Sequence, residues 1–116
     1  MREECIFCKI ADKEVPSDTV EETKNFVAFL DANPITKGHT LIIPKKHFNT
    51  LLDMPEDLSS EMLYILKKIV EKMRKEGAEG FNVLVNNGAA AGQVINHLHL
   101  HIIPRKRGDN IRFRTI

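Results

Sequence analysis

No stretch of the 116 residues stays apolar for the ~20 positions that a membrane-spanning helix needs. There is no charge excess either: 17 Lys+Arg stand against 16 Asp+Glu, a formal net charge of +1. Sequence-blind binding of a polyanion such as duplex DNA relies on clustered basic charge, so no nucleic-acid partner is expected. Cysteine is scarce. The two present, Cys5-x-x-Cys8, are too few and too close for the disulfide framework of a small secreted protein. The opening Met1-Arg2-Glu3-Glu4 is acidic where a secretory signal is basic and then apolar. A cytoplasmic protein is expected. Internal repeats, low-complexity tracts and linker-like segments are missing, which leaves a single domain over 1–116.

What is present is a hydrophobic fraction of 42%, too high for a disordered chain. A chain of this length buries roughly two-thirds of its unfolded surface around one core. Ile6, Phe7 and Ile10 predict a short helix over 6–12, broken at Val15-Pro16-Ser17. Strands are predicted over 19–22, 26–31 and 40–43, the last ended by Pro44. Leu58, Met62, Leu66, Ile69, Val70 and Met73 recur at helical steps and predict one long amphipathic helix. Asp53 with Glu56 resembles a capping box at its start, and Gly77 is a natural stop. A fourth strand is expected over 81–85 and a fifth through Leu98, Leu100 and Ile102 to Pro104. Two helices and five strands with short connections indicate an α+β antiparallel sheet.

The strongest chemical signal is His97-Leu98-His99-Leu100-His101. Period-two geometry puts the three imidazoles on one strand face and the aliphatics on the other. Three aligned histidines forgo burial worth about 1.5–3 kcal/mol per replaced aliphatic, which argues for a function. Two readings stay open: metal ligation, as in a zinc-dependent hydrolase, or nucleophilic and acid–base work at a phosphorus or carbonyl centre. Upstream, Asn86-Asn87-Gly88-Ala89-Ala90-Ala91-Gly92-Gln93 is a small-residue loop whose amides could approach an anion. Cys5-x-x-Cys8 allows redox chemistry, simple burial or zinc, and supplies only half of a tetrahedral ligand set.

His97-Leu98-His99-Leu100-His101-Ile102-Ile103 resembles the His-φ-His-φ-His-φ-φ signature of the histidine-triad (HIT) family, φ being apolar. Cys5 to Ile10, Phe29 to Pro34 and Leu41 to His47 agree in order and spacing, so the resemblance spans nearly the whole chain. It is nearest to the small branch that includes adenosine phosphoramidases. The resemblance implies a five-stranded antiparallel meander with two helices, paired as a homodimer into one continuous sheet. It further implies hydrolysis of a purine nucleoside monophosphate ester, anhydride or phosphoramidate, AMP-like, through a nucleotidyl-histidine.

Under that resemblance His99 is the nucleophile, and His101 contacts the phosphate and leaving atom. Asn86, Gln93 and the Gly92 amide orient phosphate oxygens. Asp31 takes the ribose hydroxyls, and Ile6, Phe7, Ile10, Phe29 and Leu30 form the purine slot. Val94 stands in this site where the phosphoramidase branch has Ser, and so lacks a hydroxyl for the leaving group. A nucleotide-binding adaptor with vestigial catalysis is the reading this departure keeps open. Cys5, Cys8, His47 and His97 resemble a structural zinc set, leaving His99 and His101 for catalysis. His39, after Lys37-Gly38, matches no functional position and is expected in a solvated loop.

Overall fold

The computed structural model describes residues 4–112. Helix α1 (Ile6–Ala11) is followed by β1 (Thr19–Glu22), β2 (Phe26–Leu30) and β3 (Thr40–Pro44). Helix α2 (Ser59–Lys75), β4 (Gly80–Leu84) and β5 (Leu100–Arg105) complete the chain. Every strand pairing is antiparallel. The α+β architecture of two helices on a five-stranded antiparallel sheet is the one expected. Strand order is β1-β2-β3-β5-β4, so only β1 to β3 form a simple meander. The connection through α2 carries the chain to the far edge, and β5 returns to fill the slot beside β3.

Alternation along the strands divides the core into two layers. Phe26, Ala28, Ile42, Leu98, Leu100 and Ile102 pack with Ile65, Ile69 and Met73 of α2. On the opposite face Val27, Phe29, Leu41 and Ile43 pack with Phe7 of α1, joined by Ile10 and Ile95. The short helix therefore covers the face that α2 leaves bare. His101 pairs with Leu41 across β3 and β5, which places it on the α1 face.

Several element ends differ from the sequence expectations. The fifth strand begins at Leu100, not near His97, and continues through Pro104 to Arg105. The capping box is formed by Thr50 and Asp53 around a 3-10 turn, Leu51–Asp53, rather than by Asp53 and Glu56. The helix α2 starts after a second 3-10 turn, Glu56–Leu58, and lacks a side-chain cap. Its most deeply buried position is Ile65, a residue outside the stripe read from the sequence.

Candidate functional site

Cys5 caps α1, its Sγ accepting from the Cys8 amide at 3.4 Å. That turn brings both thiols against histidines from distant parts of the sheet. Cys5 Sγ lies 3.2 Å from His97 Nδ1, and Cys8 Sγ lies 3.2 Å from His47 Nδ1 and 3.6 Å from His97 Nδ1. One ligand atom from each of Cys5, Cys8, His47 and His97 lies within 4.8 Å of the others. A tetrahedral zinc with Zn–S of ~2.3 Å and Zn–N of ~2.0–2.1 Å sets sulfur and nitrogen about 3.5 Å apart, so the four residues fit that ion.

The outer nitrogens agree with this fit. His97 Nε2 donates to the Pro44 carbonyl at 2.8 Å, and His47 Nε2 pairs with Asn49 Oδ1 at 2.9 Å. Both bonds leave Nδ1 with its lone pair facing the thiols, the usual way a ligating histidine is oriented. Burial pushes the His97 pKa down to about 4 against the opposing Pro44 hydrogen bond, with His47 and His99 adding to the depression.

His99 has the opposite tautomer. Its Nδ1 donates to the His97 carbonyl at 2.8 Å, which leaves the lone pair on Nε2. Phe7 meets the rings of Phe29, His97 and His99 edge-on at 5.7, 5.8 and 5.2 Å, closing the apolar side of the site against the imidazoles. The His99 and His101 rings are 5.0 Å apart.

His39 departs from expectation. It is 2% exposed rather than solvated. Asp31 N–H donates to the His39 carbonyl at 2.9 Å, extending the β2–β3 pairing by one step. Alternation then puts His39 on the face of Leu41 and Ile43. Its Nε2 lies 3.0 Å from His101 Nδ1 and 3.5 Å from Asp31 Oδ2. The signal was available in the sequence as the spacing His39, Leu41, Ile43 on one strand.

Ile35 N–H donates to His39 Nδ1 at 3.1 Å, so a neutral His39 carries its proton on Nε2. That proton faces His101 Nδ1, and His101 accordingly holds its own proton on Nε2. Burial lowers the His39 pKa, opposed by Asp31. Burial also pushes His101 down to about 4, with His99 and His39 adding and Asp31 opposing. Asp31, His39 and His101 likewise bring three ligand atoms within 4.8 Å. With His39 Nε2 protonated, this cluster is a hydrogen-bond chain rather than a cation site.

Three expected contacts fall elsewhere. Leu30 alternates with Phe29 and so faces the α2 side, 41% exposed, on the wall of a cavity of about 710 Å³ with Val20 and Ile69. It cannot share a slot with Phe7, Ile10 and Phe29. The Gln93 side chain is spent inside the loop: Oε1 accepts from Gly88 N–H at 2.7 Å, while Nε2 donates to the Asn49 and Ile95 carbonyls at 2.6 and 3.0 Å. A buried amide must satisfy its own donors and acceptor. The Gly92 amide donates to the Ala89 carbonyl at 3.0 Å. Gln93 and Gly92 thus shape the loop. Asn86 is half-buried, Ile6 is exposed, and Val94 is 89% exposed.

An antiparallel α+β sheet whose buried histidines cluster against a short N-terminal helix defines the class of protein. Residues 12–108 match the HIT domain, and the chain belongs to that family. Cys5 and Cys8 precede the matched span. An uncharacterised HIT-like protein of Methanocaldococcus jannaschii is 50% identical over 105 residues, 90% of this chain and 81% of that protein. The adenosine 5'-monophosphoramidase of Candida albicans is 44% identical over 107 residues, 88% of this chain and 70% of that protein. A Zn-bound histidine-triad family protein from Mycobacterium smegmatis superposes with a TM-score of 0.89 at 38% identity, covering 97% of this chain and 83% of that one.

Proposed function

We propose that the protein is a hydrolase of purine nucleoside monophosphate derivatives, AMP phosphoramidates foremost, working through a nucleotidyl-His99 intermediate. The observation that carries this reading is the His99 Nδ1–H bond to the His97 carbonyl, because it presents an unprotonated Nε2 as nucleophile. The phosphoramidase relative supports the substrate class.

In this mechanism His99 Nε2 attacks the α-phosphorus and the bond to the leaving group breaks. His101 Nε2–H donates a hydrogen bond to the leaving atom as charge develops there. Water then cleaves the histidine–phosphorus bond. Over the full cycle water gives its hydroxyl to phosphorus and its proton to the leaving group. Phe7, Ile10 and Phe29 hold the base, and Asp31 accepts from the ribose hydroxyls. The exposed Val94 offers no hydroxyl to the leaving group.

Cys5, Cys8, His47 and His97 would hold a structural zinc, supported by the ligand spacing and by the Zn-bound relative. A bound zinc would tie α1 to the sheet and supply no catalytic chemistry. A hydrolytic metal on His97, His99 and His101 is disfavoured. Both His97 nitrogens are engaged, Nδ1 by the thiols and Nε2 by the Pro44 carbonyl, and His101 carries its proton on Nε2, so only His99 offers a lone pair. A homodimer is also proposed.

The deciding experiment incubates the protein with adenosine 5'-phosphoramidate, quenches in base and maps adducts by mass spectrometry. An adenylyl group on His99 is expected. AMP binding without an adduct or turnover would favour the adaptor reading, and turnover abolished by chelation without an adduct would favour the metal hydrolase.

A further inference from the structure

We propose that Asp31 couples sugar recognition to turnover: ribose hydroxyls bound at its carboxylate leave the His39 Nε2 proton wholly to His101. This rests on the nucleotide reading above and adds a second role for a residue that would otherwise only bind.

His39 has one proton on Nε2 and two acceptors near it. His101 Nδ1 is at 3.0 Å and Asp31 Oδ2 at 3.5 Å. The choice of Nε2 is forced, because Nδ1 already accepts from Ile35 N–H at 3.1 Å. The Asp31 carboxylate is itself fixed, its Oδ1 accepting from Asn33 N–H at 2.9 Å, so Oδ2 is the atom left to compete. At 3.5 Å the Oδ2 charge makes no hydrogen bond to His39 but draws electrostatically on its Nε2 proton, so the bond to His101 Nδ1 is weakened and the imidazole is held less firmly in the tautomer that keeps Nε2–H.

Hydroxyl donors at Oδ2 satisfy that carboxylate and weaken its pull on His39. His39 then donates to His101 alone, and His101 presents Nε2–H to the leaving atom. A sugar without hydroxyls leaves the competition in place. The distinction appears in kcat, because a well-bound substrate would still meet a poorly oriented donor. His39 is in this account a positioning residue.

The test compares adenosine and 2',3'-dideoxyadenosine 5'-phosphoramidates at saturation. The dideoxy substrate is expected to lose on the order of tenfold in kcat, the scale of a lost orienting contact. Equal kcat values with only KM raised would overturn the coupling while leaving the nucleotide reading intact. No binding and no turnover of either would overturn both. In the wild-type protein labelled with 15N-histidine, AMP is expected to move the His101 nitrogen shifts toward the pure Nε2–H pattern and 2',3'-dideoxy-AMP to leave them unmoved. Identical shifts with both ligands would sink the proposal. In Asp31→Asn, which keeps an oxygen for Asn33 N–H, the kcat ratio of the two substrates should fall to about one; a ratio that persists would show that Asp31 is not the coupling group.

Discussion

A neutral imidazole has one proton and two nitrogens, so its chemistry depends on which nitrogen a neighbour holds. Here four of the five histidines are fixed in this way by an oxygen or an amide. His97 and His47 are held at Nε2 and present Nδ1 to two thiols, whereas His99 is held at Nδ1 and presents Nε2. His99→Asn should therefore abolish the adenylyl adduct and at least a hundredfold of turnover. Zinc content measured by metal analysis should stay as in the wild type. Metal loss in that variant would show that the two histidine groups are not separate. His101 gives a pH prediction. Its pKa is about 4 when folded, against an ordinary 6.5. Above pH 6.5 it is neutral in both folded and unfolded chains and contributes no pH dependence. As pH falls from 6.5 toward 4, the unfolded chain takes up a proton that the folded one refuses, so stability declines across that window and levels off below it. Urea unfolding at pH 7 and pH 5 should show the decline, and His101→Asn should remove from it the His101 share, on the order of 2 kcal/mol. An equal decline in the variant would assign the effect to other groups.

Helix α1 has six residues and could not persist alone, because so short a helix has few internal bonds against a costly nucleus. Its attachment comes from Phe7 in the second core layer and from the thiols of Cys5 and Cys8 against His47 and His97. Cys8→Ala should lower bound zinc from about one ion per chain to none and reduce the thermal midpoint, since metal bound only by the folded chain adds to its stability. Calorimetry with and without added zinc checks this: a midpoint unmoved by zinc in the wild type would remove the metal from the account. Because His97 also carries the carbonyl that orients His99, the element that fixes α1 reaches the proposed nucleophile. The apolar run Phe26 to Leu30, the run Leu41 to Ile43 and the α2 stripe were legible because burial pattern is a local property of sequence. The alternation of three histidines with Leu98, Leu100 and Ile102 held even where 97–99 left the regular strand. What escaped was set by distant partners. His39 is buried through its pairing with Asp31, Gln93 is consumed by carbonyls of Asn49 and Ile95, and the face taken by Leu30 follows from the register of β2. A turn-rich neighbourhood hid the first, and a polar side chain beside a loop suggested ligand contact for the second.

At the scale of the molecule the unresolved demand is the edge strand β4. Among the described residues it pairs with β5 alone, and Phe81 and Val83 are 46% and 41% exposed. Val83 lies opposite Ile102, so both side chains are on the face that α2 packs against, beyond the area α2 covers. An unpaired apolar edge is a template for another strand unless something blocks it, and β4 carries neither lysine nor proline. A second copy joined edge to edge through β4 would pair those backbone groups and cover both side chains, continuing the sheet across the two chains. Burying a Phe or Val side chain is worth about 1.5–3 kcal/mol, and a two-fold contact counts each residue twice. Light scattering at tens of micromolar should then give twice the chain mass of 13.2 kDa. Phe81→Lys should shift the protein toward the single-chain mass, since a charge set at the centre of such a contact is desolvated without a partner. Circular dichroism of the variant separates dissociation from unfolding: retained helix and sheet signal with halved mass is the expected result. Wild-type protein that runs as a single chain at these concentrations would remove the β4 edge as the dimer contact.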